Sequence, residues 1–454
     1  MLIKKNTKKI YSIKVIHITL LVILNLFTGA TLATAKPYGL YTSEQINKAR
    51  ELVKKGAEPQ TSAYLKLMKL ANSALNKTHH AVASLKSYQW YTATAAQKEE
   101  MNRQQHYLSE DANNAHELAL AYRFTGETKY AEKAAYFINA WARINKEYIG
   151  VGFKGDSSSN WKTPYYYNQT NADLIMVTSG APLIQAAILI KDYTGWSSTD
   201  QEVFSRWCTN VFRKNSDTLL QNKDFLINNT GISARQSIIL HHVWQGNTSA
   251  LINEDIPMVK KMLNLQLQTL TDAGYNIPDM LPHEVRRGNQ GMWYTAWALA
   301  AFTNAMEIIQ NHTGVNLFRW ENINGSNVEK ALDRFFIYAQ KPNSWPWLDK
   351  SGNTNGHVTK IPQPGSWGGT LYEAMGIKFN KETWKKWAGG PTVWFTTQLN
   401  WQLPSLIQPN NINTNIVPVT ENPTTPKKES SIPTIKPSQE EEIGAFIMDR
   451  SGLH

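Results

Sequence analysis

Two short segments gather polar side chains at the points where helices begin. The first is Ile227-Asn228-Asn229-Thr230-Gly231, ahead of the helical run Ser233–Trp244. Tandem asparagines before a helix ordinarily serve as N-caps and turn formers. The second runs Pro282-His283-Glu284-Val285-Arg286-Arg287-Gly288-Asn289 into Gly291-Met292-Trp293-Tyr294 and a long apolar stretch. Its plainest reading is a solvated loop with Tyr294 in the core. Against that, Arg287 and Tyr294 are seven residues apart, which puts both on one helical face if the helix has already begun. Amide, carboxylate, guanidinium, imidazole and phenol together are the side-chain types that bind anions and move protons.

The elements that must position them are helices. Ala115, Leu118, Ala119 and Tyr122 fall at i, i+3, i+4 and i+7, and Thr125-Gly126-Glu127-Thr128 then breaks the run. Ala134, Phe137, Ile138 and Trp141 repeat the spacing, so 111–144 reads as an antiparallel helix pair. Similar runs cover 43–56, 61–76, 173–193, 198–220, 231–245, 254–271, 291–312 and 328–340. Period-2 alternation is rare, which makes strands a minor component. Stacked αα-hairpins follow, as a solenoid or a closed α/α toroid. The lack of a strict repeat weakens the regular solenoid. Gly150–Tyr167, Gly274–Asn289 and Lys341–Gly369 are long and weakly helical, the character of binding loops. Trp161, Tyr165, Tyr166 and Tyr167 lie in the first of these, where aromatics in polar surroundings suit sugar stacking; Trp345, Trp347 and Trp367 are similar.

Composition narrows the class. With 454 residues, 42% hydrophobic and 18% charged, the chain is neither disordered over most of its length nor a multi-pass membrane protein. A single cysteine, Cys208, excludes an internal disulfide and any Cys-x-x-Cys zinc site. Five lysines and an apolar run from Val15 to Phe27 precede Ala33-Thr34-Ala35, the pattern of a signal peptide over 1–35 with a mature start near Lys36. The run is shorter than a membrane span needs, so export to the periplasm or medium is expected. Of the net charge of +11, that leader holds +5 and the polar, proline-rich tail 409–454 holds −2, which leaves the body 36–408 at +8. A basic exported body favours an acidic polysaccharide; nucleic-acid motifs and phosphate loops are absent. The tail reads as disordered.

Leu118-Ala119-Leu120-Ala121-Tyr122-Arg123-Phe124-Thr125-Gly126-Glu127, continued by Tyr130-Ala131-Glu132-Lys133-Ala134, resembles the first hairpin of the alginate lyase superfamily. Asn228-Asn229 resembles its Asn-Asn-His segment. Glu284-Val285-Arg286-Arg287-Gly288 with Tyr294 resembles its Glu-x-x-Arg-Gly segment and the tyrosine that follows. The three blocks stand in the same order over roughly 105–315, most like polysaccharide lyase family 5, the mannuronate-specific lyases. The resemblance implies an all-α, incomplete α/α toroid of antiparallel hairpins with few short strands. It also implies β-elimination across C4–C5 of a uronate in a polymer, with alginate or polymannuronate first and glucuronan next. No cofactor or metal is implied, nor any membrane partner, and the protein is expected as a monomer. Asn229 would polarise the C6 carboxylate, Arg287 would bind it or favour the phenolate, and Tyr294 would act as base and then acid. Asn228, Thr230, His283, Glu284, Arg286, Tyr166 and Trp161 would line the substrate, with Glu284 orienting Arg287.

One departure stands out. Thr230 occupies the position where the mannuronate lyases carry histidine, and threonine holds neither charge nor a mobile proton at neutral pH. His283, in the loop beside Glu284, is the better substitute; His241 and His242 lie farther along the helix, and His242 reads as structural. Two other classes stay open. A toroidal glycoside hydrolase would need a pair of carboxylates from Asp111, Asp173 and Glu284. A non-catalytic polysaccharide-binding protein would follow if Thr230 marks lost activity.

Overall fold

The computed structural model describes residues 35–86, 94–146, 174–221, 223–271, 274–287, 290–345, 362–365, 367–392 and 401–411. Two kinds of helix alternate along them. Ala181–Ile190, Asn229–Gln245, Gly291–Thr313 and Trp367–Lys378 are buried on almost every side, as is Ala95–Thr125 beyond its first turns. Between them run helices with a single buried stripe. Gln60–Leu75 buries Ala63, Leu67, Ala71 and Ala74, and Val328–Gln340 buries Val328, Ala331, Leu332, Phe335 and Ala339. A helix apolar on one face belongs to an outer layer, and one buried all round belongs inside. Ala95–Thr125 packs on both Thr128–Ile144 and Ala181–Ile190. Asn229–Gln245 packs on Ala181–Ile190 and Gly291–Thr313, which in turn meets Val328–Gln340 and Trp367–Lys378. The result is an α/α toroid.

Local chemistry sets the hairpins. Thr94 and Gln97 form a reciprocal capping box at the start of Ala95–Thr125, and Gly126 ends that helix at φ +75°. Two residues later Thr128–Ile144 begins, as the 111–144 spacing predicts. The strands are short: Pro37–Tyr38 pairs with Tyr41–Thr42, and Gln268–Leu270 pairs with Ile277–Met280.

Several boundaries differ from the sequence reading. The 254–271 run stops being helical at Gln266, and the rest turns into a strand. A π-helical turn, Cys208–Arg213, interrupts the 198–220 run. The final pair, Trp367–Lys378 and Glu382–Ala388, was not foreseen, and its first helix starts inside the expected Lys341–Gly369 loop. Here apolar residues occur on all sides of a short helix, so no periodic stripe announces it.

Residues 401–411 tie the last hairpin, through Ser405 Oγ donating to Glu373 Oε1, to the early helices. Gln45 Nε2 donates to Gln408 O at 3.1 Å, and Gln402 Nε2 donates to Asn113 Oδ1 at 3.3 Å. Pro409 is buried. The expected signal segment and most of the tail lie outside the described residues. No described helix is long and apolar enough to cross a membrane.

Candidate active site

The 3₁₀ turn Lys223–Ile227 delivers the chain to Asn228, which caps the Asn229–Gln245 helix from an extended backbone. Its side chain accepts from Thr230 N at 3.0 Å and Gly231 N at 3.4 Å, so the N-cap reading of this asparagine holds. The amide of Asn229 donates instead to Glu284 Oε1, on the helical turn Pro282–Val285. This close approach needs a glycine on each side. A Cβ on Gly231 would stand 1.9 Å from Phe225 O, and one on Gly291 would stand 2.9 Å from Glu284 O.

Arg287 joins the two segments. Its Nη1 donates to Asn229 Oδ1 at 2.9 Å and lies 3.4 Å from Glu284 Oε2. Its guanidinium carbon sits 3.6 Å from the centroid of the Tyr294 ring, in cation–π contact. Asn229, Glu284, Arg287 and Tyr294 are all at most 5% exposed, so these charges act with little screening by water. Because Asn229 Oδ1 is committed to Arg287, the amide orientation is set, and its Nδ2 hydrogens are the donors left to point elsewhere. One turn further along, Trp297 Nε1 donates to Ser233 Oγ at 2.7 Å and pins together the helices that carry Tyr294 and Asn229.

The structure thus brings Asn229, Glu284, Arg287 and Tyr294 together, but not along one helical face. The helix begins at Gly291, and Arg287 reaches the ring from the turn that precedes it. His283 and Arg286 are half-buried on the same turn, and Thr230 is buried in the first turn of its helix. Trp161, Tyr165, Tyr166, Tyr167 and Trp347 lie outside the described residues, as does Asp173. Trp345 packs edge-on against Phe335 and Tyr338 and is 2% exposed, which makes it a core residue rather than a platform.

Other candidates have structural partners. His242 Nδ1 meets Asp255 Oδ2 at 2.7 Å, Arg235 binds the other oxygen of Asp255, and Arg213 faces His242 Nε2 at 2.8 Å. His241 contacts Thr209 Oγ1 and its pKa is pushed down to about 4 by burial. Asp111 is fully buried, accepting from His80 N and Trp141 Nε1 and meeting His80 Nδ1. Burial raises its carboxyl above the usual range. Sequence reasoning missed Ser233, Trp297 and Gln266, whose roles depend on contacts across the fold.

Among the described residues no group of three or more His, Cys, Asp or Glu could hold a metal ion. A cavity of about 600 Å³ opens between the first and last helices, lined by Glu44, Lys48, Gln60, Glu373 and Lys385 among others. It shares no residue with the Asn229–Tyr294 cluster, whose convergent polar groups make the stronger case for chemistry.

The sequence model of a family described as alginate lyase matches residues 51–345. No curated protein matches by sequence. Among solved structures, an alginate lyase from Bacteroides ovatus superposes with a TM-score of 0.56 at 15% identity, over 79% of this chain and 97% of that one. Alginate lyase A1-III from Sphingomonas species A1 gives 0.54 at 14% identity, over 83% and 97%. A substituted form of A1-III complexed with tetrasaccharide gives 0.57 at 13% identity, over 83% and 96%. At these identities the likeness is one of fold.

Proposed function

The chain belongs to the alginate lyase family, and from that membership we propose that it cleaves a uronate polymer by β-elimination, with polymannuronate or alginate first and glucuronan next. The observation that carries the reading is Arg287, which orients the Asn229 amide and lies against the Tyr294 ring in one buried cluster.

The C5 proton of a uronate is weakly acidic, so the barrier falls only if the charge developing on the C6 carboxylate is stabilised. Asn229 Nδ2 is the neutral donor for that carboxylate. Arg287 adds positive charge beside it and favours the phenolate of Tyr294 over the phenol. The phenolate takes the C5 proton. Its electron pair forms the C4–C5 double bond, the C4–O4 bond breaks, and the same proton passes from Tyr294 to O4. One group serving as base and acid requires the C5 hydrogen and O4 on the same side of the sugar. Mannuronate and glucuronate meet that condition, and guluronate does not. Thr230 cannot supply a cation where the resembling lyases have histidine, so Arg287 carries that part, with His283 next to Glu284 as a second source of charge.

Exported protein, whose intact mass should begin at Lys36, is incubated with mannuronate- and guluronate-rich alginate, glucuronan, hyaluronan and pectate. Ultraviolet absorbance of the unsaturated product is followed beside Tyr294→Phe. Product on a mannuronate or glucuronate polymer, with kcat reduced about 10²–10⁴-fold in the variant, supports the assignment. New reducing ends without the double bond would replace it with hydrolysis, and binding without product would replace it with a recognition module.

A further inference from the structure

Gln266 is the last residue of the helix Ile256–Gln266 and is 1% exposed. Its Nε2 donates to Leu226 O at 2.9 Å and to Asn228 O at 3.0 Å, the carbonyls on either side of Ile227 in the turn that presents Asn229. Asn228 O is also the acceptor for the first bond of the Asn229–Gln245 helix, from Ile232 N, and that bond is long at 3.4 Å. At that carbonyl, the side chain from a different helix therefore makes a shorter bond than the helix's own amide does. Gln266 Oε1 is buried and makes no hydrogen bond among the described residues. Leaving a buried acceptor unmatched is unfavourable, so this amide is placed for its two donors.

Its own position is held from a third direction. Asn322 Nδ2 donates to Leu263 O at 3.1 Å and Leu267 O at 2.7 Å, satisfying the end of the helix that carries Gln266. At the Asn228 turn the other groups are already matched: Asn228 Oδ1 takes the amides of Thr230 and Gly231, and Glu284 takes that of Asn229. Gln266 completes the set from the carbonyl side.

We propose that Gln266 is a positioning residue for the elimination: it locks the Asn228 carbonyl so that the side-chain amide of Asn229 meets the substrate carboxylate at the geometry the transition state requires. The inference rests on Asn229 as the carboxylate donor. An interaction felt in the transition state lowers kcat when lost and leaves KM nearly unchanged, and a residue acting through Asn229 has no effect once Asn229 is gone.

The test is a double-mutant cycle on the full chain with polymannuronate, using Gln266→Met, Asn229→Ala and both together, with thermal unfolding recorded for each. Gln266→Met should lower kcat about 10–100-fold with KM changed less than about threefold. On the Asn229→Ala background it should change kcat less than about twofold. Gln266→Asn, which keeps the amide but shortens its reach, should reproduce the kcat loss and provides the cycle if the methionine variant does not fold. Unchanged kcat, a loss confined to KM, or full additivity with Asn229→Ala would overturn the role of Gln266. If Asn229→Ala itself retains full activity, the assignment of Asn229 fails first and separately.

Discussion

Arg287 serves three neighbours at once: the side-chain Oδ1 of Asn229, the Glu284 carboxylate and the face of the Tyr294 ring. Only a planar, forked cation can meet an in-plane acceptor and stack on a ring from one position. Lysine keeps the charge but has neither plane nor fork. Arg287→Lys is therefore expected to lower kcat by about 10–100-fold while the protein stays folded. Arg287→Met would leave Glu284 buried without this cation, at a cost of about 3–5 kcal/mol. Steady-state kinetics and thermal unfolding of the two variants check the ranking; equal activity in Arg287→Lys and the parent would remove the stacking argument. The pair was legible in the sequence from its spacing, but through a helix that begins only at Gly291. A turn after Val285 makes the contact instead, and turn paths depend on what they pack against.

At the scale of elements, the site is the meeting of two helix starts, each pressed against the turn that feeds it. Gly231 allows this on one side. The atom nearest its missing Cβ is a backbone oxygen at 1.9 Å, which cannot swing away as a side-chain tip can. Gly231→Ala should destabilise the protein by more than about 2 kcal/mol in denaturant titration and displace Asn228 and Asn229, with loss of activity to match. A change within about 0.5 kcal/mol would mean that the turn yields easily. Thr128–Ile144 was readable because one solvated face leaves a periodic stripe, and its partner Ala95–Thr125, buried nearly all round beyond its first turns, because Gly126 marks its end. The last pair was not, because Trp367–Lys378 is short, buried nearly all round and interrupted by Gly368, Gly369 and Gly376, residues of low helix propensity.

Over the whole molecule, buried titratable groups shape stability against pH. Burial lowers His116 to about 3 and His241 and His312 to about 4. His312 Nε2 accepts from Gly39 N, a bond that a protonated ring would lose. Below the unfolded value of about 6.5 the unfolded chain binds these protons and the folded one does not, so stability falls as pH drops toward 4. Glu117 acts in the opposite sense. Burial raises it to about 8, with Lys77 offsetting part of the effect. From its unfolded value near 4.5 upward the folded state holds a proton that the unfolded chain has released, and stability falls as pH rises toward 8. Unfolding free energy measured by denaturant titration should peak near pH 6.5, and Glu117→Gln should flatten the decline above it. A decline that persists unchanged in Glu117→Gln would assign it to another group.

The sequence by itself determined what short-range chemistry can encode. Helical stripes, the capping box at Thr94, the glycine stop at Gly126, the Asn228 cap and the order of the three motif blocks are all set within a few residues of chain. Only the tertiary structure decided which polar group each buried side chain would satisfy. Glu284 meets the backbone amide of Asn229 from 55 residues away, Gln266 meets Asn228 from 38, and Asp255 meets His242 from 13. The reason is desolvation. A buried donor or acceptor must find a partner inside the fold, and the packing of helices distant in sequence decides which one is within reach.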